Sequence, residues 1–316
     1  RVLIFAILGG MLMSGYGHFA ALGKPGFVGA KFAEPGFRFQ GSIGNPAYVA
    51  AYAIFLMFYA FCLSLLGHQK NKTVLSKIIY ILIFAVFFAV FILAATRGAF
   101  VGFVSALVIG AAYFAYTKPK LRPVLIGAII ILTVSVSTLV YFKDSKLVKS
   151  LPGSRIFDIS FSTETFRHRA IEWKVAIDAF KERPLLGWGP ENFIFAFDKL
   201  YNIRHFTTQA GFGAWFDRAH NIFLDYLSSI GIIGLFSYLG VFAAFFWLFF
   251  KKHRHENKNN GQKNALLNTA VFTAIVAYLI QGLVLFDVLV IYLNLFLTLA
   301  FASFWFDGKE SKNTND

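Results

Sequence analysis

Three short stretches carry side chains able to do chemistry at a water-facing surface: Thr96-Arg97-Gly98-Ala99, Arg167-His168-Arg169 and Arg218-Ala219-His220-Asn221. A guanidinium is a planar, permanently charged fork that matches phosphate oxygens two at a time. An imidazole titrates near neutrality, so His220 is suited to take a proton from a hydroxyl. Arginines joined by such a histidine point to chemistry on a phosphate-bearing substrate, with the histidine as general base. Each stretch also has a plainer reading. Arg97 has no acidic neighbour in sequence, and a lipid headgroup would satisfy it as well as a ligand. His220-Asn221 falls at a helix start, where the pair would serve equally as a cap with no chemistry.

Local context sharpens these candidates. A helix N-terminus disfavours a charged imidazolium, which suits a base at His220, although Asp217 nearby acts the other way. Asp225 lies one turn deeper on the face of Asn221, and a carboxylate at that depth needs a partner such as an outer-loop arginine. In Arg38-Phe-Gln-Gly41-Ser-Ile-Gly44-Asn45-Pro46, Asn45 and Pro46 read as a helix start after a glycine turn; alternatively Arg38 and the exposed amides face an anion. Arg204 and Arg218 are weaker candidates of the same anion-binding kind.

These residues must be held by elements that the composition defines. With 57% hydrophobic residues and 18% aromatics, the chain has more apolar surface than a soluble core could hide. Apolar runs of about 20 residues, the length that crosses hydrocarbon as a helix, recur along it. The ten-residue alternation of a membrane β-barrel does not. The fold class expected is therefore all-α, a polytopic membrane bundle with one long extracytoplasmic loop containing short helices. Spans are expected at Pro46–Leu66, Val74–Ala95, Ala99–Tyr116, Leu121–Phe142, Asn221–Phe250, Ala265–Leu285 and Val288–Phe306. An eighth apolar run, Val2–Met13, is too short to cross; because the chain opens on Arg1, it reads as the remainder of a longer helix belonging to a protein with further upstream spans.

The organisation expected is a first membrane region 1–142 with an outer loop 14–45, a long outer segment 143–219, a second membrane region 220–306 and a disordered tail 307–316. Orientation follows from lysine and arginine in the short loops. Lys70, Lys72, Lys77, Lys118, Lys120, Arg122, Lys251, Lys252, Arg254, Lys258 and Lys263 all fall on one side, which is the cytoplasmic side. Most of the formal charge of +14 is thus topological, and it carries no argument for nucleic acid. Within 143–219 there are twelve Lys/Arg against nine Asp/Glu, so what matters there is where the arginines sit. The single cysteine, Cys62, lies in a span and leaves no internal disulfide.

Inside the outer segment, Ser162–Phe180 reads as an amphipathic helix whose apolar face combines Ile171, Trp173, Val175, Ala176, Ile177 and Phe180. Arg169 and Trp173 lie four apart on one side, and Arg167, His168 and Arg169 fall near its first turns, where backbone amides would add to a phosphate site. Arg183-Pro184 stops this helix, and a second is expected over Glu191–Tyr201 with Pro190 at its start. No D-x-D or E-x-D pair, the usual clamp for a divalent metal on a sugar phosphate, appears on the outer side, nor any Cys/His metal spacing. The span interiors, apart from Asp225, lack the ionisable residues expected of a pump or transporter.

Taken in order, Arg38…Gly41-x-x-Gly44-Asn45-Pro46, Thr96-Arg97-Gly98-Ala99, Arg169-x-x-x-Trp173, Pro184-Leu-Leu-Gly187-x-Gly189, His220-Asn221-x-x-Leu224 and Gly231-x-x-Gly234 resemble the O-antigen ligase and polymerase superfamily of bacterial envelope proteins. That resemblance, over about Arg38 to Gly234, implies a bacterial inner-membrane enzyme active on the outer face. It implies metal-independent, inverting transfer of glycan from undecaprenyl pyrophosphate, with no cofactor. The acceptor would be lipid A–core, a protein or another glycan. By position Arg97 and Arg169 become pyrophosphate ligands and His220 the base. One departure stands out: the glutamate that often precedes the Gly-x-x-Gly is replaced by Ser228 and Ser229, so either Asp225 takes its role or the acceptor differs. Ligase, repeat-unit polymerase and a transporter without chemistry remain open at this stage.

Overall fold

A computed structural model describes residues 2–21, 38–66, 74–160, 163–203, 215–256 and 262–307, and every regular element among them is a helix. In chain order the α-helices are α1 (Val2–Ala21), α2 (Pro46–Leu66), α3 (Val74–Leu93), α4 (Arg97–Thr117), α5 (Arg122–Tyr141), α6 (Lys146–Lys149), α7 (Glu164–Glu182), α8 (Phe193–Lys199), α9 (Ile222–Glu256), α10 (Gln262–Gln281) and α11 (Leu289–Asp307). Seven of these segments are long and apolar enough to cross a membrane, as the hydropathy predicts. The protein is an all-α, polytopic chain. α2 has the expected bounds to the residue: Asn45 Oδ1 accepts the Ala47 amide at 2.8 Å, and Pro46, which has no amide to satisfy, opens the helix.

Several expectations are corrected. The first helix does not stop at Met13 but runs 20 residues to Ala21, through part of what reads as the outer loop 14–45. Ser14 turns its hydroxyl back onto the Gly10 carbonyl at 2.8 Å, and a side chain at Gly17 would collide with the Phe39 ring, so these small residues continue the helix and make room beside it. The second outer helix is shorter than Glu191–Tyr201. Gly189 (φ 102°) and Glu191 (φ 62°) are both left-handed, which leaves Pro190 in a turn and delays α8 to Phe193. α11 includes Asp307, where the tail was expected to begin; residues 308–316, and Arg204, lie outside the described residues.

The chain divides into two units, residues 1–159, 249–281 and 288–316, and residues 160–248 with 282–287. In the first, Gly102, Ala106 and Gly110 make a stripe of small residues one turn apart on α4. A methyl at Gly102 would approach the Ala277 carbonyl to 3.0 Å and one at Gly110 the Thr273 hydroxyl to 2.1 Å, so α4 and α10 meet nearly backbone to backbone. α5 buries none of its residues, an apolar surface that hydrocarbon, not water, satisfies.

In the second unit the span expected as one helix from Asn221 is broken at Gly231 (φ 69°, ψ −170°). A break costs backbone hydrogen bonds, and within a membrane each must be replaced. The segment after α7 replaces them: Trp188 and Gly189 amides donate to the Ser228 and Ser229 carbonyls at 2.9 and 2.7 Å, and the Ile232 amide donates to the Pro184 carbonyl at 2.9 Å. This close docking needs bare backbone. A methyl on Gly187 would lie 2.6 Å from the Ser229 carbonyl oxygen, and one on Gly231 would lie 2.3 Å from that of Leu185. Gly231→Ala should therefore cost about 1–3 kcal/mol from backbone strain alone, and the clash adds to it. Thermal unfolding in detergent checks this: the melting point should drop for Gly231→Ala and hold for Gly240→Ala, where nothing lies within 4 Å.

Candidate active site

In the first unit the cationic residues gather on the turn between α3 and α4. Ala95 is left-handed there (φ 48°), and Arg38 donates through Nε to the Ala94 carbonyl at 3.2 Å and through Nη2 to Thr96 Oγ1 at 3.0 Å. Arg155 donates to the Ala95 carbonyl at 3.4 Å. Arg97 is the first residue of α4, at the positive end of a helix dipole, a poor place for a cation without an anion. Its partner comes from far along the chain: Arg97 Nη2 and Lys143 Nζ both bond the Asp158 carboxylate, the second at 2.7 Å. The Lys143 hydrogen bond, with the Arg97 charge behind it, holds the Asp158 carboxyl below its usual range although burial opposes them. Burial and the neighbouring Arg97 lower the Arg155 pKa, with Asp158 offsetting them. Among the described residues Arg97, Lys143 and Arg155 thus share the Asp158 carboxylate, a setting suited to an anion.

In the second unit α7 is capped by Thr163, whose Oγ1 accepts the Phe166 amide at 3.3 Å. Its buried face runs along Glu172, Val175, Ala176 and Ala179, whereas Ile177 is exposed, so the helix is rolled from the face expected of it. Val175 and Ala176 pack with Phe193, Phe197 and Ala219 as a small core. Arg167–Arg169 lie inside the helix, where the Arg167 amide already donates to the Thr163 carbonyl at 3.0 Å, so arginine side chains and not free amides are what this region offers an anion.

His220 precedes the helix, where it was expected to fall in the first turn. Asn221 is the cap, its Oδ1 accepting the Phe223 and Leu224 amides at 3.0 and 3.2 Å, and His220 before it is left-handed at φ 42°. Such a conformation is strained for a side chain with a Cβ, and the surroundings hold it. Its ring lies edge-on between Phe286 and Phe216, with centroids 4.9 and 5.4 Å away. His220 Nδ1 approaches Glu172 Oε1 at 3.0 Å and the Arg218 carbonyl at 3.1 Å. A carbonyl can only accept, so the Arg218 contact assigns the proton to Nδ1. Nε2 has no hydrogen-bond partner among the described residues.

Asp225 finds the partner its depth requires. Its carboxylate takes Arg218 Nη1 at 2.9 Å and the Ala219 amide at 3.2 Å, and Arg218 Nη2 also bonds Glu191. Asp225 thereby fixes the main chain on which His220 sits. Glu172 is the residue that sequence reasoning missed. It is fully buried, and burial raises its carboxyl to about 7, against the pull of the His220 hydrogen bond and charge and of Arg169, while Asp225 adds to the rise. A carboxyl raised in the fold stabilises most below its unfolded value and loses that contribution as pH rises through about 7. The available signal was an acid in the i, i+3, i+4, i+7 stripe of Val175, Ala176 and Ala179. Among the described residues no three His, Cys, Asp or Glu side chains converge as a metal set.

Arg38 and Arg97 therefore belong to the first unit, and Arg169, Arg218, His220 and Asp225 to the second. Compared with known protein families, residues 81–239 match the one described as O-antigen ligase, half of the chain's 316 residues. The chain belongs to the O-antigen ligase family. No curated protein matches it. The part that identifies it as an O-antigen ligase family member includes Arg97, Asp158, Glu172, His220 and the Gly231 break, and excludes Arg38.

Proposed function

We propose that the protein transfers a glycan from a polyprenyl pyrophosphate, undecaprenyl pyrophosphate in a bacterial membrane, to an acceptor hydroxyl on the outer face. The observation that carries this reading is His220: Nδ1 is committed to Glu172 and the Arg218 carbonyl, and Nε2 has no partner among the described residues. Nε2 takes the acceptor proton as the acceptor oxygen bonds the anomeric carbon. The bond from that carbon to the pyrophosphate breaks, the pyrophosphate keeps the electron pair, and a single displacement inverts the anomeric centre. Positive charge must meet the leaving pyrophosphate, and arginine supplies it here in place of a divalent ion. Family resemblance assigns this task to Arg97 and Arg169; the position of Arg169 one turn from Glu172 on α7 supports the second. Arg218 is bonded to Asp225 and Glu191, which supports a part in holding His220 more than in holding the donor.

Family membership is compatible with both one-step ligation and repeat-unit polymerisation. Full-length protein in liposomes, given undecaprenyl-pyrophosphate glycan and candidate acceptors, separates them by product size. A single added glycan per acceptor is the result expected for a ligase. A ladder identifies a polymerase, and no product with any acceptor would contradict the reading.

A further inference from the structure

Glu172 is expensive where it stands. A carboxylate removed from water needs both oxygens satisfied, yet Oε2 is buried with no hydrogen-bond partner among the described residues, and Val175 and Ala176 of the same face line an apolar core. Apolar side chains there would pack at lower cost, so fold stability does not explain the residue. Its one hydrogen bond does: Oε1 meets Nδ1 of the left-handed His220.

We propose that Glu172 is the positioning residue for His220, holding the Nδ1–H tautomer with Nε2 toward the acceptor and stabilising the imidazolium that forms when Nε2 takes the acceptor proton. This rests on the reading of His220 as base. The proton balance is closed: the resting pair holds one proton, on Nδ1; the acceptor proton arrives at Nε2; the carboxylate faces the resulting cation; and the proton leaves to water after transfer. Among the described residues the charged groups around Glu172 are His220, Arg169 on its own helix and Asp225 on α9, the last paired with Arg218. A proton on Glu172 removes the negative charge that faces the imidazolium formed during transfer. Turnover should therefore fall as pH drops through about 7, the value to which the buried carboxyl is raised.

The test is the pH profile of glycan transfer by full-length protein in liposomes, for wild type, Glu172→Gln and His220→Ala. Gln keeps an oxygen to accept from Nδ1 but cannot carry charge. Glu172→Gln should lower kcat roughly tenfold or more, within the ~10²–10⁴ that general-base catalysis contributes, with little change in acceptor KM, and should displace the inflection near pH 7. In ¹⁵N spectra the His220 ring should be the Nδ1–H tautomer in wild type and show a larger Nε2–H share in Glu172→Met, where the Arg218 carbonyl alone holds Nδ1–H, a measurement independent of activity. Wild-type kcat and pH profile in Glu172→Gln, beside an inactive His220→Ala, would overturn the positioning role alone. Retained turnover in His220→Ala would overturn the reading beneath it.

Discussion

Replacing His220 by alanine should reduce glycan transfer by about 10²–10⁴ while donor affinity stays within about twofold of wild type. In free energy that is about 3–5 kcal/mol withdrawn from the transition state and close to nothing from the ground state. The split follows from the contacts. The imidazole is held by Glu172, the Arg218 carbonyl and two phenyl rings, so its removal takes away a proton acceptor and no cation. The main chain around it keeps its own supports, the Ala219 amide on Asp225 and the Asn221 cap on the Phe223 and Leu224 amides. A melting point near that of wild type should accompany the lost rate.

Arg169→Ala should do the reverse in binding, weakening the polyprenyl-pyrophosphate donor roughly tenfold to a hundredfold, the worth of one charge-assisted contact of about 1.5–3 kcal/mol. Arg169→Lys should recover only part of this, since an ammonium keeps the charge but loses the fork. Arg169 also faces Glu172 and favours its ionised form. Its loss should therefore move the pH inflection upward, a second signature that a ligand remote from Glu172 would not produce. Because arginine is assigned the role of the metal, a chelator should leave transfer unchanged; strict dependence on a divalent ion would refute that assignment.

What the sequence disclosed divides along local and distant causes. α2 was legible to the residue because its start is written locally, in Asn45 and Pro46. The length of α1 was not, because glycine and serine near Met13 read as loop in water but continue a helix where Ser14 returns its hydrogen bond to Gly10. The break at Gly231 was visible only as a Gly-x-x-Gly spacing. Its cause is distant, since the amides and carbonyls freed there are satisfied by Pro184, Trp188 and Gly189.

The candidate site divides in the same way. His220 and Asp225 stood out by residue type and depth, and the arginine that Asp225 required is Arg218. Asp158 could not be found from Arg97, because 61 positions separate them and only the fold joins them. Glu172 was hidden by a rotation: with the apolar face of α7 centred on Trp173 and Ile177, it reads as a solvated charge, whereas the helix buries Glu172 with Val175, Ala176 and Ala179. Two of the residues with the most to say about chemistry were thus legible only as ordinary surface acids.

The central claim, that His220 Nε2 takes the acceptor proton during glycan transfer, is tested most directly by single turnover. Wild type and His220→Ala would be loaded with undecaprenyl-pyrophosphate glycan in liposomes, bound donor measured, acceptor added and product followed in time. The structure predicts equal loading and a wild-type transfer that is lost by at least about two orders of magnitude in the variant. Equal loading followed by transfer at the wild-type rate would contradict it.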